Sequence, residues 1–244
     1  MSATFRDDLF AGKRVLVLGG SSGIGAAIAR AFRDHGGEVI ATGRTDWEIA
    51  GCTDLEQITL EPLDLDDGDR LERRIRALPG LDILVVTAGL IRRRDEHDPA
   101  VFAHVLAVNL TGTMRALAAA HPLLAARRGA ALTLGSVYSF RGAPLAPAYA
   151  ASKGGIAQLT KSLAIAWAPS GVRLNALAPG WIRTPLTAAV REDKAREQAI
   201  LARTPMARWG EPADVAGAAL FLCSPAADFI TGTILPVDGG DLVT

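Results

Sequence analysis

Cysteine is scarce in this chain. Cys52 and Cys223 are the only two, far apart and in no ligand spacing. Their scarcity excludes a disulfide framework and a cysteine-built zinc site, which takes about four clustered ligands, and it fits a cytoplasmic location. Lysine is almost as rare: only Lys13, Lys153, Lys161 and Lys194 stand among many arginines. The histidines, His35, His97, His104 and His121, form no metal pattern, so no metal is expected. Excess charge is absent too, since 26 basic residues balance 26 acidic ones. That balance gives no reason to expect nucleic acid or an anionic membrane as partner. No apolar run approaches the ~20 residues of a membrane span. The opening "MSATFRDDLFAGKR" lacks the apolar core of a signal peptide.

What the chain does have is alternation. Residues 14–18, 38–42, 57–60, 81–87, 130–134, 172–177 and 233–237 read as strands. Helical patterns over 23–35, 67–78, 98–127, 147–168 and 211–223 lie between them. The helix over 98–127 is expected to be irregular near Asn109 and Gly112. Residues 43–62 are too short and mixed for a full helix and suggest an abbreviated connection. Residues 185–203 read as one charged helix on an excursion that covers the site. Alternation of this kind predicts a parallel sheet with helices on both faces. There is no linker or internal repeat. The expected fold is α/β: one Rossmann-type domain over residues 1–244, a doubly wound parallel sheet of about seven strands.

The stretch "VLGGSSGIG", residues 17–25, puts four glycines between the first strand and the first helix. A doubly wound sheet places a phosphate site here, because helix N-terminal N–H groups point at an anion and glycines let it approach the backbone. Taken alone, the pattern fits an ordinary glycine-rich turn equally well. Downstream, Tyr149 and Lys153 are spaced to share one helix face. Ser136 stands at the end of a predicted strand, where ligands bind in open α/β sheets. A free tyrosine has a pKa of about 10, and a nearby ammonium lowers it, so the three side chains could move a proton on and off an oxygen. A lone Y-x-x-x-K spacing is a common accident on helices.

Together these features carry a resemblance. Gly19, Gly23 and Gly25, Ser136 with Tyr149 and Lys153, "AVNLTG", "APGWIRTP" and "PVDGG" resemble the ordered motifs of short-chain dehydrogenases/reductases of the classical type. The resemblance spans almost the whole chain. It implies a nicotinamide-dependent oxidoreductase acting on a small-molecule alcohol or ketone. Tyr149 would be the general acid/base. Lys153 would lower its pKa and hold the nicotinamide ribose, Ser136 would orient the substrate oxygen, and Asn109 would support a water-linked proton path. Cofactor contacts are expected from Gly19, Ser21, Ser22, Gly23, Ile24, Gly25, Arg44, Asp64, Leu65, Ala88 and Gly89, then Tyr149, Lys153, Pro179, Gly180, Ile182 and Thr184. The family's helix packing implies a homo-oligomer, tetramer or dimer, and Gly154-Gly155 is expected to mark a close helix contact.

The cofactor is expected to be NADP(H) rather than NAD(H). Where NAD enzymes commonly place an acid, this chain has Gly43 followed by Arg44, although Asp46 is close by. Asp64 could equally be a loop residue before Asp66 and Asp67. Two positions depart from the family pattern: Leu18 stands for the usual Thr, and Val86-Thr87 for Asn-Asn. Apolar contact between the neighbouring strands is expected to replace a polar tie there. Substrate contacts are expected from Ser136, Tyr138, Arg141 and Trp181, with Arg141 or one of Arg92, Arg93 and Arg94 meeting a carboxylate. "AGLIRR" and "SVYSFRG" resemble sugar-acid dehydrogenases of the 2-deoxygluconate 3-dehydrogenase type. "RWGEPADVAGAALFL" resembles 3-oxoacyl-carrier-protein reductases just as well. A cofactor-using epimerase or dehydratase and a non-catalytic NADP-binding regulator are the remaining readings.

Overall fold

A computed structural model of the chain describes residues 4–52 and 54–244. Residues 1–3 and 53, which the one-domain expectation and the 43–62 connection include, lie outside the described residues. Seven strands form one sheet: β1 (Arg14–Leu18), β2 (Glu38–Gly43), β3 (Thr59–Pro62), β4 (Ile83–Val86), β5 (Ala130–Leu134), β6 (Arg173–Pro179) and β7 (Ile234–Val237). Their order is β3-β2-β1-β4-β5-β6-β7, and every pairing is parallel. Chain order reverses between β1 and β4, which opens a ligand crevice at the carboxyl ends of those strands.

Central strands are buried on both faces, so β4 is apolar throughout and β1 is apolar and buried after its first residue, Arg14. Side-chain alternation then splits the core. Val15 and Val17 face a cluster built with Ile28 and Phe32 of α1 (Gly23–Asp34) and Leu220 of α9 (Pro212–Cys223). Leu16 and Leu18 face the opposite cluster, with Leu71 and Ile75 of α3 (Gly68–Arg76) and Leu117 and Leu124 of α5 (Thr113–Arg127). Helices therefore cover both faces. Each such buried side chain contributes about 1.5–3 kcal/mol.

Three details differ from the sequence reading, and a fourth agrees with it. Gln57 has φ 64°, a left-handed conformation that delays β3 to Thr59. The 43–62 connection holds a short helix, α2 (Asp46–Ala50), capped by Thr45, whose hydroxyl accepts from the Glu48 N–H. The excursion is two helices, α7 (Ala188–Glu192) and α8 (Lys194–Ala202), because Asp193 is extended and its carboxylate caps α8 at Arg196 N. Finally, α4 (Pro99–Leu106) runs into α5 through a π-helical segment, Ala107–Gly112. The irregularity expected at Asn109 and Gly112 is there, and the Thr113 hydroxyl donates to the Asn109 carbonyl at 2.8 Å. The continuous helical run Pro99–Arg127 is long and apolar enough to cross a membrane, contrary to the expectation that no stretch would be. Its apolar residues Val108, Ala116, Leu117, Ala120 and Leu124 instead pack in the core below the sheet.

Candidate active site

The crevice is walled first by the glycine loop. A Cβ on Gly19, at φ 83°, would lie 2.6 Å from the Ala88 nitrogen. A Cβ on Gly25 would overlap the Gly19 carbonyl and come within 2.5 Å of the Thr87 hydroxyl. Glycine is thus required where loop, helix and β4 meet. The first turn of α1 carries no acidic residue, and its N-cap Ser22 makes no side-chain capping bond. Its N–H groups remain free to donate to an anion. In front lies a cavity of about 530 Å³. Its walls include the predicted residues of the 19–25 loop together with Arg44, Asp64, Leu65, Ala88, Gly89 and Thr184. These features fit a dinucleotide.

Leu18 pairs directly with Val86, as expected from the two departures. The tie between the strands is polar, however, which corrects the expected apolar replacement. The Thr87 hydroxyl is 2.9 Å from the Leu18 carbonyl and 3.1 Å from the Gly19 carbonyl. Thr42, on the other side, accepts from the Gly19 N–H at 3.2 Å. A hydroxyl absent at position 18 is supplied by neighbours on both flanking strands.

A second, smaller cavity of about 120 Å³ adjoins the first, and Ile24, Gly89, Thr184 and Leu186 wall both. It is lined by Ser136, Tyr138, Tyr149 and Lys153, and by Pro179, Gly180, Trp181 and Ile182. Ser136 follows β5 and caps a 3-10 turn, Val137–Ser139. The Ser139 hydroxyl donates to the Lys153 carbonyl at 2.7 Å, docking this turn on α6 (Pro147–Trp167). Tyr149 is the third residue of α6, and Lys153 lies one turn further on. The Lys153 ammonium is 5.4 Å from the centre of the Tyr149 ring and donates to the Leu134 carbonyl at 2.7 Å.

Burial dominates the electrostatics of the pair. Burial pushes the Tyr149 phenol up to about 12; a hydrogen bond to Ser136 and the charge of Arg93 act in the opposite sense, and Tyr138 and Glu96 add to the rise. Burial also brings the Lys153 ammonium down to about 8. Tyr149 is therefore a protonated phenol at neutral pH.

Asn109 lines neither cavity. Its side chain holds the Leu90 backbone from behind, accepting from Leu90 N and donating to Leu90 O, each at 2.8 Å. Nor does Arg141 face the substrate side. It forms a bidentate pair with the buried Asp241 carboxylate, which also meets Arg203, and it lies 5.7 Å from the Tyr138 ring centre. Arg93, of the three candidate neighbours, enters the smaller cavity; Arg92 borders the larger one. Trp181 packs edge-on against Trp209 at 5.7 Å, joining the cavity wall to the end of the excursion. The Gly154-Gly155 pair divides: Gly155 closes onto Leu110 of the same chain, and Gly154 faces open space.

Sequence reasoning missed Glu96. It is 1% exposed. Its carboxylate accepts from Arg92 N at 2.7 Å and from Tyr149 N at 2.8 Å, so it fastens the Arg93 loop to the start of α6. Glu48 was missed as well. It pairs with Arg44 at 3.0 Å on the wall of the larger cavity, whereas Asp46 does not line that cavity. A carboxylate four residues beyond Arg44 on a capped turn was the available signal.

Known proteins share this arrangement. A family model of the short-chain dehydrogenase/reductase class, described as enoyl-(acyl carrier protein) reductase, matches residues 19–241. The 2-dehydro-3-deoxy-D-gluconate 5-dehydrogenase of Bacillus subtilis is 40% identical over 240 residues, covering 94% of each chain. A galactitol 2-dehydrogenase (L-tagatose-forming) of Cereibacter sphaeroides is 40% identical over 236 residues, covering 92% of each. Among solved structures, a gluconate 5-dehydrogenase from Burkholderia cenocepacia in complex with NADP and tartrate superposes with a TM-score of 0.90 at 31% identity, covering 98% of both chains. Glycine cradle, half-buried phenol beside a buried ammonium, strand order and near full-length likeness converge, and the chain belongs to the short-chain dehydrogenase/reductase family, as a nicotinamide-dependent oxidoreductase of secondary alcohols and ketones.

Proposed function

We propose that the substrate is a sugar acid or a closely similar hydroxy acid, oxidised or reduced at a secondary carbon with NADP(H) in preference to NAD(H). The observation that carries this is Arg93, whose guanidinium shares a small cavity with Tyr149 and Ser136. Arg93 and its neighbours Arg92 and Arg94 make no ion pair among the described residues, so Arg93 is free to grip a carboxylate. The relatives named for gluconate-type substrates, and the one crystallised with tartrate, support the same chemistry.

When bound, the cofactor supplies hydride chemistry at its nicotinamide ring. The protein supplies the rest. Tyr149, protonated at neutral pH, donates its proton to the substrate oxygen during reduction and recovers it during oxidation. Ser136 would hydrogen-bond that oxygen, and Lys153 would hold the nicotinamide ribose. Asn109 acts by fixing Leu90 on the cavity rim; the water-linked path assigned to it stays part of the proposal. Arg44, on the wall of the nucleotide cavity, is the group for a 2′-phosphate. One domain spans residues 1–244 and works in the cytoplasm as a homo-oligomer. The two free thiols fit a reducing compartment, and the exposed Ile165 and Phe229 offer apolar contact area.

The decisive assay follows nicotinamide absorbance across sugar acids, the corresponding polyols and acyl thioesters, each with both cofactors. Sugar acids should give the highest kcat/KM, with NADP(H) favoured. Turnover confined to acyl thioesters would move the chain to the 3-oxoacyl-carrier-protein reductases. No turnover across the panel would indicate a cofactor-binding regulator.

A further inference from the structure

The end of β2 holds a conflict of charges that the preference for NADP(H) leaves unexplained. Gly43 occupies the position where an acid could bind a ribose hydroxyl. A side chain there would be crowded: a Cβ on Gly43 would lie 3.1 Å from the Ser21 side chain and 3.1 Å from that of Ile49, so one of them would have to shift. The acid is found one helical turn further on. Glu48 sends one carboxylate oxygen to the Arg44 backbone N–H at 2.8 Å and the other to the Arg44 guanidinium at 3.0 Å. Its own N–H is held by the Thr45 cap at 3.2 Å. Behind it, the Cys52 thiol bridges the Glu48 carbonyl at 3.2 Å and the Ser21 carbonyl at 3.0 Å, which docks α2 on the glycine loop. Arg44, Glu48 and Ser21 all wall the larger cavity.

The geometry points to Glu48 as the residue that sets cofactor choice. Its carboxylate engages the same guanidinium and N–H that a 2′-phosphate would use. It also offers a ribose 2′-hydroxyl the acceptor that Gly43 cannot. NADP(H) binding must displace Glu48 from Arg44, whereas NAD(H) binding can leave the pair intact. The chain therefore accepts both cofactors, and Glu48 holds the NADP(H) preference below what Arg44 alone would give. This inference rests on the reading that Arg44 faces the 2′ position. The pair is solvent-exposed, with side-chain exposures of 58% and 31%, so its influence is modest and salt-sensitive.

Calorimetric titration of the full-length protein tests this without a substrate. The probes are 2′,5′-ADP for the phosphorylated ribose and ADP-ribose for the free hydroxyl. Glu48→Gln should bind 2′,5′-ADP about three- to tenfold more tightly and ADP-ribose about two- to fivefold more weakly. The gain should shrink as NaCl is raised. Arg44→Ala should weaken 2′,5′-ADP by about tenfold and leave ADP-ribose nearly unchanged. If Arg44→Ala weakens 2′,5′-ADP but Glu48→Gln moves both probes equally or neither, the selector role of Glu48 falls and Arg44 keeps its assignment. If Arg44→Ala leaves 2′,5′-ADP binding unchanged, the assignment of Arg44 and the inference fall together. Thermal melts of both variants, expected within a few degrees of wild type, show that the exposed substitutions leave the fold intact.

Discussion

The glycine-loop end of the crevice is made of backbone, and the substrate half is made of side chains. Around the 19–25 loop, the contacts on offer are N–H groups at the start of α1 and surfaces bared by Gly19 and Gly25. Around Tyr149 they are individual groups from four segments: Ser136 after β5, Tyr149 and Lys153 on α6, Arg93 from the loop after β4, and Trp181 after β6. The two halves fail differently. A backbone site survives replacement of a neighbouring side chain, as Leu18 illustrates with Thr87 and Thr42 supplying the hydroxyls. A side-chain site depends on single atoms, and burial shifts both Tyr149 and Lys153.

The sharpest break should come at the phenol. Tyr149→Phe removes the group proposed to exchange a proton with the substrate oxygen, and kcat should fall by about 10³-fold or more. Cofactor dissociation constants should stay within about threefold, since the nucleotide cavity is untouched. Steady-state kinetics beside a cofactor titration separates the two; a variant retaining a tenth of wild-type kcat overturns the assignment. Arg93→Ala comes next. It should cost about 10–100-fold in kcat/KM for sugar acids and less than about threefold for the matching polyols, because a charge-assisted pair to the carboxylate is lost. Equal losses on both substrate types would show that Arg93 supports the cavity and does not read the carboxylate.

The contrast also explains what could be read from the sequence. β1 and β5 keep the bounds read from the sequence, because a strand buried on both faces is mostly apolar: only Arg14 and Thr133 interrupt the pattern. The glycine loop is local, so its spacing could be matched motif against motif. Ser136, Tyr149 and Lys153 were legible as a spacing, and their convergence follows from β5 feeding the turn that docks on α6. Glu96 was invisible because its partner Tyr149 is 53 residues away in sequence and the bond is to a backbone N–H, which any residue provides. Arg141 was misread for the same reason: its partner Asp241 lies 100 residues on. The excursion was read as one helix because Asp193 looks like any charged surface residue until its extended backbone breaks the run.

Lys153 extends the comparison to stability. Burial lowers its folded pKa to about 8 from an ordinary 10.5, so folding disfavours the ammonium. Between those values the unfolded chain binds more protons, and this group makes stability rise with pH. Below pH 8 the penalty is present in full. Lys153→Met should therefore lose activity yet gain about 1–3 kcal/mol of stability at pH 7, after about 1 kcal/mol is lost from the bond to the Leu134 carbonyl. The gain should shrink as pH is raised from 8 towards 10. Urea unfolding at several pH values measures it; destabilisation at pH 7 would mean that the ammonium is satisfied where it lies.

The smallest effect should fall on the backbone half, and its smallness is informative. Thr87→Val keeps the shape of the side chain and removes the hydroxyl shared between the Leu18 and Gly19 carbonyls. The Leu18 carbonyl still accepts from the backbone N–H groups of Thr87 and Ala88. Only the Gly19 carbonyl loses a partner, so stability should drop by about 1 kcal/mol. Cofactor affinity should fall about two- to fivefold through a looser loop, with kcat almost unchanged. If Thr87→Val instead abolished cofactor binding, the glycine loop would owe its shape to one side chain, and the division between a backbone-built and a side-chain-built half would not hold. Urea unfolding together with a cofactor titration of this variant decides the point.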